Sequence, residues 1–509
     1  MEPRTFDNIA SLSYLAPELA LVAAALLLVV WDLASPERLK VPGLVAISLA
    51  AVGCSGGLGA YFLASDAGPF NLFHGLLAFD RFSNLFRVLL AVVTAIIVLF
   101  SVPSRTPGIE PELRREPGEF FTLLLVLSLG MNLMAASRHF LTIYLSIELV
   151  SVISFVLAGF KVNDAKSSEA ALKYVIFGGV ASGIMLYGMS FLFGATASMH
   201  LGECAARIAA LTAQEGRVPE VVFVGTACVL AGFGYKISAA PFHMWTPDVY
   251  EGAPTPVTAL LSVGPKAAGF AVLVRFFSDA LGARGIDGAP PGVETPWPVL
   301  AGCLAMATMA VGNLSALGQE NVKRMLAYSS IAHAGYLLLG FSVFSDAGVA
   351  AIVFYLVTYC FMNLGAFLVV MAVAERRGGD ETLSAFRGLG RRAPLVAAAM
   401  AVFLISLTGL PPTAGFVGKF YLFSALITAG GTWSWILAVA GVVNSVISLF
   451  YYARVLRAMY LEKDAAAGPV SVRPLLGAAT WALAIPTVLL GVSWGPVYDL
   501  VARSLSMVR

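Results

Sequence analysis

The chain has 509 residues, of which 59% are apolar and 12% charged, with a formal net charge of +2. Soluble domains carry roughly 25% charged residues and need a polar skin, so this composition excludes a soluble enzyme and a disordered regulator. The near-zero net charge leaves no basic footprint for nucleic acid, and the mean hydropathy of +0.84 points to a bilayer.

A spanning helix takes about 20 apolar residues. Apolar runs bounded by charges or by Gly/Pro clusters predict fourteen spans, at 15–33, 41–63, 80–103, 118–137, 139–160, 170–195, 219–240, 255–281, 297–316, 324–343, 347–373, 394–428, 433–460 and 474–501. The first follows Met1-Glu2-Pro3-Arg4, lacks a basic leader and is followed by no small-residue cleavage site, so it reads as a retained helix. No polar stretch between spans is long enough for a soluble domain.

Loop charge supports the count and sets an orientation. Loops after odd-numbered spans carry Arg38, Lys40, Arg105, Arg114, Arg115, Lys161, Lys166, Lys323 and Arg324, then Arg376, Arg377, Arg387, Arg391, Arg392, Arg454, Arg457, Lys463 and Arg473. Loops after even-numbered spans offer little beyond Arg81, Arg138, Arg207, Arg217 and Arg284. The odd loops are therefore expected to be cytoplasmic, with both termini facing outward.

Two spans are interrupted. The seventh runs into Ala239-Ala240-Pro241-Phe242-His243, and the twelfth breaks at Gly409-Leu410-Pro411-Pro412-Thr413-Ala414-Gly415. Bare backbone at membrane depth survives only when buried in protein or lining a hydrated cavity. The two breaks lie five spans apart. Five is odd, so equivalent helices would point in opposite directions, as in inverted repeats around an ion pathway. The bland alternative is two proline kinks in packed helices.

Of nine lysines, three lie inside apolar runs: Lys236, Lys266 and Lys419. Glu148 lies in a fourth run. A charge at the bilayer centre costs about 2.5–3.5 kcal/mol on insertion scales, and groups kept there usually mark an ion pathway. Low dielectric favours the neutral form of lysine and of glutamate alike, so such groups suit loading and release of protons. Glu148 and Lys236 read as a modulating pair, with Lys266 and Lys419 extending the relay. His243 and His333 are further candidate proton carriers, although His333 by itself also reads as a core histidine. Lys173, at the start of its span, reads as a snorkelling side chain. Glu18, Asp80 and Arg87 lie near helix ends and read as interfacial anchors. Four of the five cysteines sit in apolar runs and read as small core residues, and no metal-ligand spacing joins them. No nucleotide or redox motif is present, so any driving force must come from partner subunits or an ion gradient.

At this point the residues resemble a known family. The run from Lys236-Ile-Ser-Ala-Ala-Pro-Phe-His243 to Gly-Ala-Pro-Thr-Pro256, and Lys323-Arg324-Met-Leu-Ala-Tyr-Ser-Ser-Ile-Ala-His333, are similar to signatures of the antiporter-like proton-translocating membrane subunits of respiratory complex I. Within that family, Leu261-Ser-Val-Gly-Pro-Lys266 and Lys419 resemble the N-type branch, and the resemblance covers nearly the whole chain. It implies an all-α polytopic membrane protein of 14 transmembrane helices with two inverted five-helix repeats, each with a broken helix. The implied divisions are 1–117 (three N-terminal helices), 118–282 (first repeat), 297–461 (second repeat) and 462–509 (helix fourteen).

The resemblance also implies roles. Glu148 and Lys236 match the pair of a first half-channel, Lys266 a central connecting lysine and Lys419 a terminal lysine exchanging protons with the outside. Lys173 and His243 match supporting positions, which raises Lys173 above a snorkelling side chain. No cofactor is expected in this chain; NADH, FMN, iron–sulfur clusters and quinone are expected in partner subunits. The expected partners are other membrane-arm subunits, including a neighbouring antiporter-like subunit and small membrane subunits, in a bacterial inner membrane. Alternatives are a subunit of a cation/proton antiporter or membrane-bound hydrogenase complex, and a structural subunit whose buried charges only fix packing.

Overall fold

The apolar runs fold as helices almost from end to end. The computed structural model describes residues 4–65, 67–102, 116–281, 295–463 and 473–505; Arg105, Arg114, Arg115 and Arg284 lie outside them. After a short helix at Asn8–Leu12, three long helices follow: α1 (Ala16–Ala34), α2 (Glu37–Ala64) and α3 (Arg81–Phe100). Next come α4 (Pro117–Ala136), α5 (Phe140–Ala158), α6 (Ala165–Thr196), α7 (Leu201–Glu215), α8 (Glu220–Ile237), α9 (Thr246–Gly252) and α10 (Thr255–Arg275). The rest are α11 (Trp297–Ala316), α12 (Val322–Phe341), α13 (Asp346–Ala374), α14 (Pro394–Thr408), α15 (Ala414–Ala429), α16 (Gly431–Tyr460), α17 (Pro474–Val492) and α18 (Gly495–Leu505).

Among the described residues, eleven helices are long and apolar enough to cross a membrane, or twelve if α17 and α18, bent by 82° at their junction, form one span. The stretches expected at 324–343 and 394–428 are helical but fall outside that number. In α12 the polar residues Lys323, Arg324, Ser329, Ser330 and His333 lower the hydropathy, and 394–428 is divided into the shorter α14 and α15. Helix α7 was not expected from the sequence; its buried Leu201, Cys204, Ile208 and Thr212 recur at helical spacing on one face.

Both expected breaks are present and close in the same way. Helix α8 ends on Ser238 in the left-handed region (φ 63), and α14 ends on Gly409 (φ 89). In each, the next amide reaches back five residues, from Ala239 N–H to Gly234 O (2.7 Å) and from Leu410 N–H to Ile405 O (3.2 Å). These bonds satisfy carbonyls that the interrupted helix leaves without partners.

Helix α10 is the most enclosed element, with every residue from Thr255 to Arg275 buried. It packs on α3, α4, α5, α8 and α13. At the end of α10 that carries Arg275, a small sheet of β1 (Arg4–Thr5), β2 (Phe70–Leu72) and β3 (Leu77–Phe79) leads directly into Asp80. β2 pairs parallel with β1 and antiparallel with β3, Phe70 opposite Phe79.

The structure corrects two assignments. Glu18, Asp80 and Arg87 are not interfacial anchors: Arg87 Nε donates to Glu18 Oε1 at 2.8 Å, and Asp80 takes both guanidinium nitrogens of Arg275, all four side chains being buried. The paired geometry removes the isolated charges that made an interfacial position the expected one. Nor are the cysteines of the apolar runs uniformly core residues, since Cys54 and Cys303 are exposed; a spanning helix buries only the face turned to its neighbours.

Candidate functional site

Three lysines with Nζ inside the helix bundle find hydroxyl groups on neighbouring helices. Lys236, the penultimate residue of α8, is 3% exposed and donates to Ser151 Oγ on α5 at 3.0 Å. Lys266, midway along α10, is 1% exposed and donates to Ser330 Oγ (2.5 Å) and Ser330 O (2.9 Å) on α12. Lys419, on α15 just past the second break, is 3% exposed and donates to Thr408 O (2.9 Å), Leu407 O (3.2 Å) and Ser445 Oγ (3.1 Å). The two carbonyls it takes are among those freed where α14 stops, so the break supplies part of the lysine's solvation.

Glycines make room for these side chains. A Cβ on Gly269 would crowd Ile237 Cγ2 at 2.9 Å and stand in ordinary contact, 3.4 Å, with Lys236 Cγ, so the close approach of α8 to α10 brings the Lys236 stem one turn beyond Lys266. A Cβ on Gly409 would come within 2.8 Å of Lys419 Cδ.

Glu148, half-buried on α5, accepts a hydrogen bond from Ser182 Oγ of α6. Among the described residues it forms no direct ion pair with Lys236. Ser151, the partner of Lys236, instead lies one turn beyond Glu148 on the same helix. The two ionisable groups expected to pair are thus linked through the face of α5 rather than by contact.

Helix α12 joins the remaining groups. Its His333 contacts Tyr355 OH through Nδ1 (2.7 Å) and Tyr452 OH through Nε2 (3.4 Å), and Ser329 Oγ lies 2.5 Å from the same Tyr452 OH. Tyr336 OH accepts from Ser445 Oγ at 3.2 Å, and Lys419 Nζ lies 4.3 Å from the Tyr336 ring centroid. From Ser330, the partner of Lys266, to Tyr336, beside Lys419, is about 9 Å of helix at 1.5 Å per residue. The polarity that lowers the hydropathy of α12 is therefore the polarity that lies between two of the lysines.

Lys419 also borders a cleft lined by Thr408, Gly409, Phe416, Phe420, Ser445 and Val446. Phe416, Phe420 and Val446 are exposed, so this cleft opens from the lysine to the surface of the chain.

Lys173 and His243 are placed apart from this series. Lys173, near the start of α6, joins a half-exposed polar cluster where α6 and α12 begin, donating to Asp248 Oδ2 (2.5 Å) and Glu169 Oε1 (2.6 Å). Arg324 Nη1 of α12 donates to Asp248 Oδ1 (2.6 Å) and Glu251 Oε2 (3.0 Å), and Lys166 Nζ reaches Glu251 Oε1 at 2.8 Å. Partial burial opposes the charge on Asp248, but Lys173 and Arg324 outweigh it and hold the carboxyl below its ordinary range. His243 lies in the first break, where its carbonyl accepts from Thr246 N–H (2.9 Å) and its Nδ1 is buried without a hydrogen-bond partner among the described residues.

Sequence reasoning missed the hydroxyl partners Ser151, Ser182, Ser330, Tyr336, Tyr355, Ser445 and Tyr452. Serine and tyrosine are ordinary in apolar helices, and Ser151 also bonds its own helix at Ile147 O (2.7 Å). Only the clustering of Ser329, Ser330, His333 and Tyr336 at helical spacing was there to be read.

Comparison with known proteins agrees with this architecture. Residues 137–448 match the family described as NADH:quinone oxidoreductase/Mrp antiporter, TM. NADH-quinone oxidoreductase subunit N 2 of Sorangium cellulosum (strain So ce56) is 82% identical, covering 100% of both chains. NADH-quinone oxidoreductase subunit N of Anaeromyxobacter sp. (strain Fw109-5) is 45% identical over 100% of this chain and 99% of that one. A chain of respiratory complex I from Thermus thermophilus with bound aureothin is 30% identical with a TM-score of 0.76, covering 96% of this chain and 99% of its own. A chain of the Mrp complex from Dietzia sp. DQ12-45-1b, 21% identical over 97% of each chain with a TM-score of 0.80, shares the fold. The chain belongs to the N subunits of NADH-quinone oxidoreductase, proton-translocating membrane subunits of the complex I translocase.

Proposed function

We propose that protons cross this subunit along a relay formed by Glu148, Lys236, Lys266, His333 and Lys419, with Lys173 and His243 supporting its entrance. The single observation that carries the reading is that Lys236, Lys266 and Lys419 are each hydrogen-bonded to a serine hydroxyl on another helix. A hydroxyl both donates and accepts, so it can take a proton from an ammonium on one side while giving one up on the other. Glu148 and Lys236 load first; Lys266 passes the proton by way of Ser330 to the His333–Tyr336 face of α12. Lys419 then releases it toward the outside. The driving force is redox energy from partner subunits, where NADH, FMN, iron–sulfur clusters and quinone reside.

The reading includes fourteen spans, with α12 and the pair α14/α15 among them, and two inverted repeats at 118–282 and 297–461 flanked by 1–117 and 462–509. Helix lengths support it. Helices of 20, 19 and 32 residues, then a broken helix and α10 with its π turn, together 26, are followed by 20, 20 and 29, a broken helix and one of 30. In this orientation the Lys173–Asp248–Arg324 cluster faces the cytoplasm, both termini face outward from a bacterial inner membrane, and other membrane-arm subunits flank the chain.

The test is proton pumping by the assembled complex in vesicles, carrying Lys236→Met or Glu148→Gln. Assembled complex that oxidises NADH but pumps fewer protons per NADH is the expected result. Unchanged assembly and unchanged pumping in both variants would sink the relay.

A further inference from the structure

Helix α10 is anchored at both ends, and Lys266 sits at its middle, twelfth of 21 residues. At the end where it begins, Lys323 Nζ holds Ala253 O at 2.8 Å, just ahead of Thr255. At the other end part of the anchor comes from outside both repeats, from Asp80. Arg275 Nη1 and Nη2 donate to Asp80 Oδ2 (2.9 Å) and Oδ1 (2.8 Å), and Arg275 Nε donates to Ala135 O of α4. Asp80 is itself immobilised as the N-cap of α3, accepting from Ser83 N–H at 2.8 Å. The Phe82 ring lies 5.0 Å from the Arg275 guanidinium, and one residue further the chain enters a π turn, Phe276–Ala280, with Asp279 bonded to Arg138 at 2.9 Å.

We infer that Asp80, through Arg275, is a positioning residue for Lys266, so that the N-terminal three-helix segment sets the geometry of the central step of the proton relay. The inference rests on the relay reading above. The physical reason is helical phase. One residue of slip along an α-helix is 1.5 Å of rise and about 100° of rotation, enough to carry the Lys266 ammonium off Ser330. A π turn inserts extra residues into a helix and is a place where such slip is taken up. Arg275 stands between that turn and Lys266. A bidentate guanidinium–carboxylate pair fixes both distance and orientation, so the pair holds the phase of α10 on the Lys266 side while the π turn absorbs changes beyond it.

The experiment uses the whole assembled complex in vesicles and compares Asp80→Asn, Arg275→Lys, Ser83→Ala and Lys266→Met. Assembly is followed on native gels, and pumping is measured as protons per NADH. Lys266→Met tests the relay itself: if it pumps as the parent does, the relay reading fails. With Lys266→Met impaired, Asp80→Asn and Arg275→Lys are expected to lower pumping roughly tenfold or more, toward the roughly 100-fold that a displacement of about 1 Å can cost. Ser83→Ala removes the hydroxyl that accepts from Asp80 N–H at 3.1 Å, at a cost in α3 stability, keeps the Ser83 N–H that the Asp80 carboxylate takes and leaves the contacts to Arg275 in place, and it is expected to pump normally. Exchanging the two charges, Asp80→Arg with Arg275→Asp, is expected to restore pumping in part. The inference is overturned if Asp80→Asn and Arg275→Lys assemble and pump as the parent does. It is equally overturned if Ser83→Ala lowers pumping to the same extent, because that result assigns the effect to the stability of α3. Should Asp80→Asn fail to assemble, Arg275→Lys, which keeps the charge and loses the bidentate fork, decides alone.

Discussion

Lys266 Nζ donates to both the hydroxyl and the backbone carbonyl of Ser330, 64 residues further along the chain. Neither group would mark Ser330 out in isolation. Together they make it the point where the central buried lysine meets α12, whose next turns carry His333 and Tyr336.

Ser330→Ala keeps the carbonyl contact and removes the hydroxyl. A hydrogen bond to a charged group contributes about 1.5–3 kcal/mol, so proton pumping is expected to fall by about tenfold to a hundredfold while the complex still assembles. Ser330→Thr, which keeps the hydroxyl, is expected to retain most of it. Equal pumping by the alanine and threonine variants would show that the hydroxyl plays no part.

Gly409→Ala places a Cβ on a residue at φ +89 and 2.8 Å from Lys419 Cδ. The left-handed backbone alone costs a non-glycine residue about 1–2 kcal/mol, and the contact pushes Lys419 away from Thr408 O. The expected outcome is a lower melting temperature of the purified complex together with slower proton release. Substituting Gly179, where a Cβ meets nothing within 4 Å, provides the contrast.

Glu18 and Arg87 form a buried pair whose side chains are 2% and 1% exposed, with Arg87 also donating to Asn84 Oδ1 at 2.8 Å. Removing one partner of such a pair typically costs about 3–5 kcal/mol, because the other charge stays buried, whereas replacing both with apolar residues is often neutral. Arg87→Met is therefore expected to reduce assembled complex sharply, and Glu18→Leu with Arg87→Met to recover it. Thermal melting of the two variants checks this, and identical losses would contradict it.

The Asp248 carboxyl is held below its ordinary value of 3.8. A carboxyl depressed in the folded state contributes stability above its unfolded value, and that contribution disappears as pH falls through the folded value. The tie between α9, Lys173 and Arg324 is thus expected to be intact at neutral pH and to loosen only below about pH 4. Asp248→Asn is expected to loosen it at neutral pH, seen as faster hydrogen exchange in Thr246–Gly252. Unchanged exchange in the variant at pH 7 would show that Asp248 does not hold α9.

Much was legible in the chain itself. Lipid imposes one strong demand, that backbone polar groups be satisfied within the segment, and it leaves long apolar runs that cannot be mistaken. Against that background, charges at Lys236, Lys266 and Lys419 and breaks at Pro241 and Pro411–Pro412 stand out, because each costs enough in hydrocarbon to need a reason. What the tertiary structure decided was which groups meet. Asp80 and Arg275 are 195 residues apart, and Glu18 and Arg87 are 69. No local periodicity encodes such separations, so a buried ion pair and an interfacial anchor look alike until the helices pack. The same holds for the hydroxyls. Whether a serine such as Ser151 merely bonds its own helix or also receives Lys236 depends on the rotation of α5 against α8, which only packing sets.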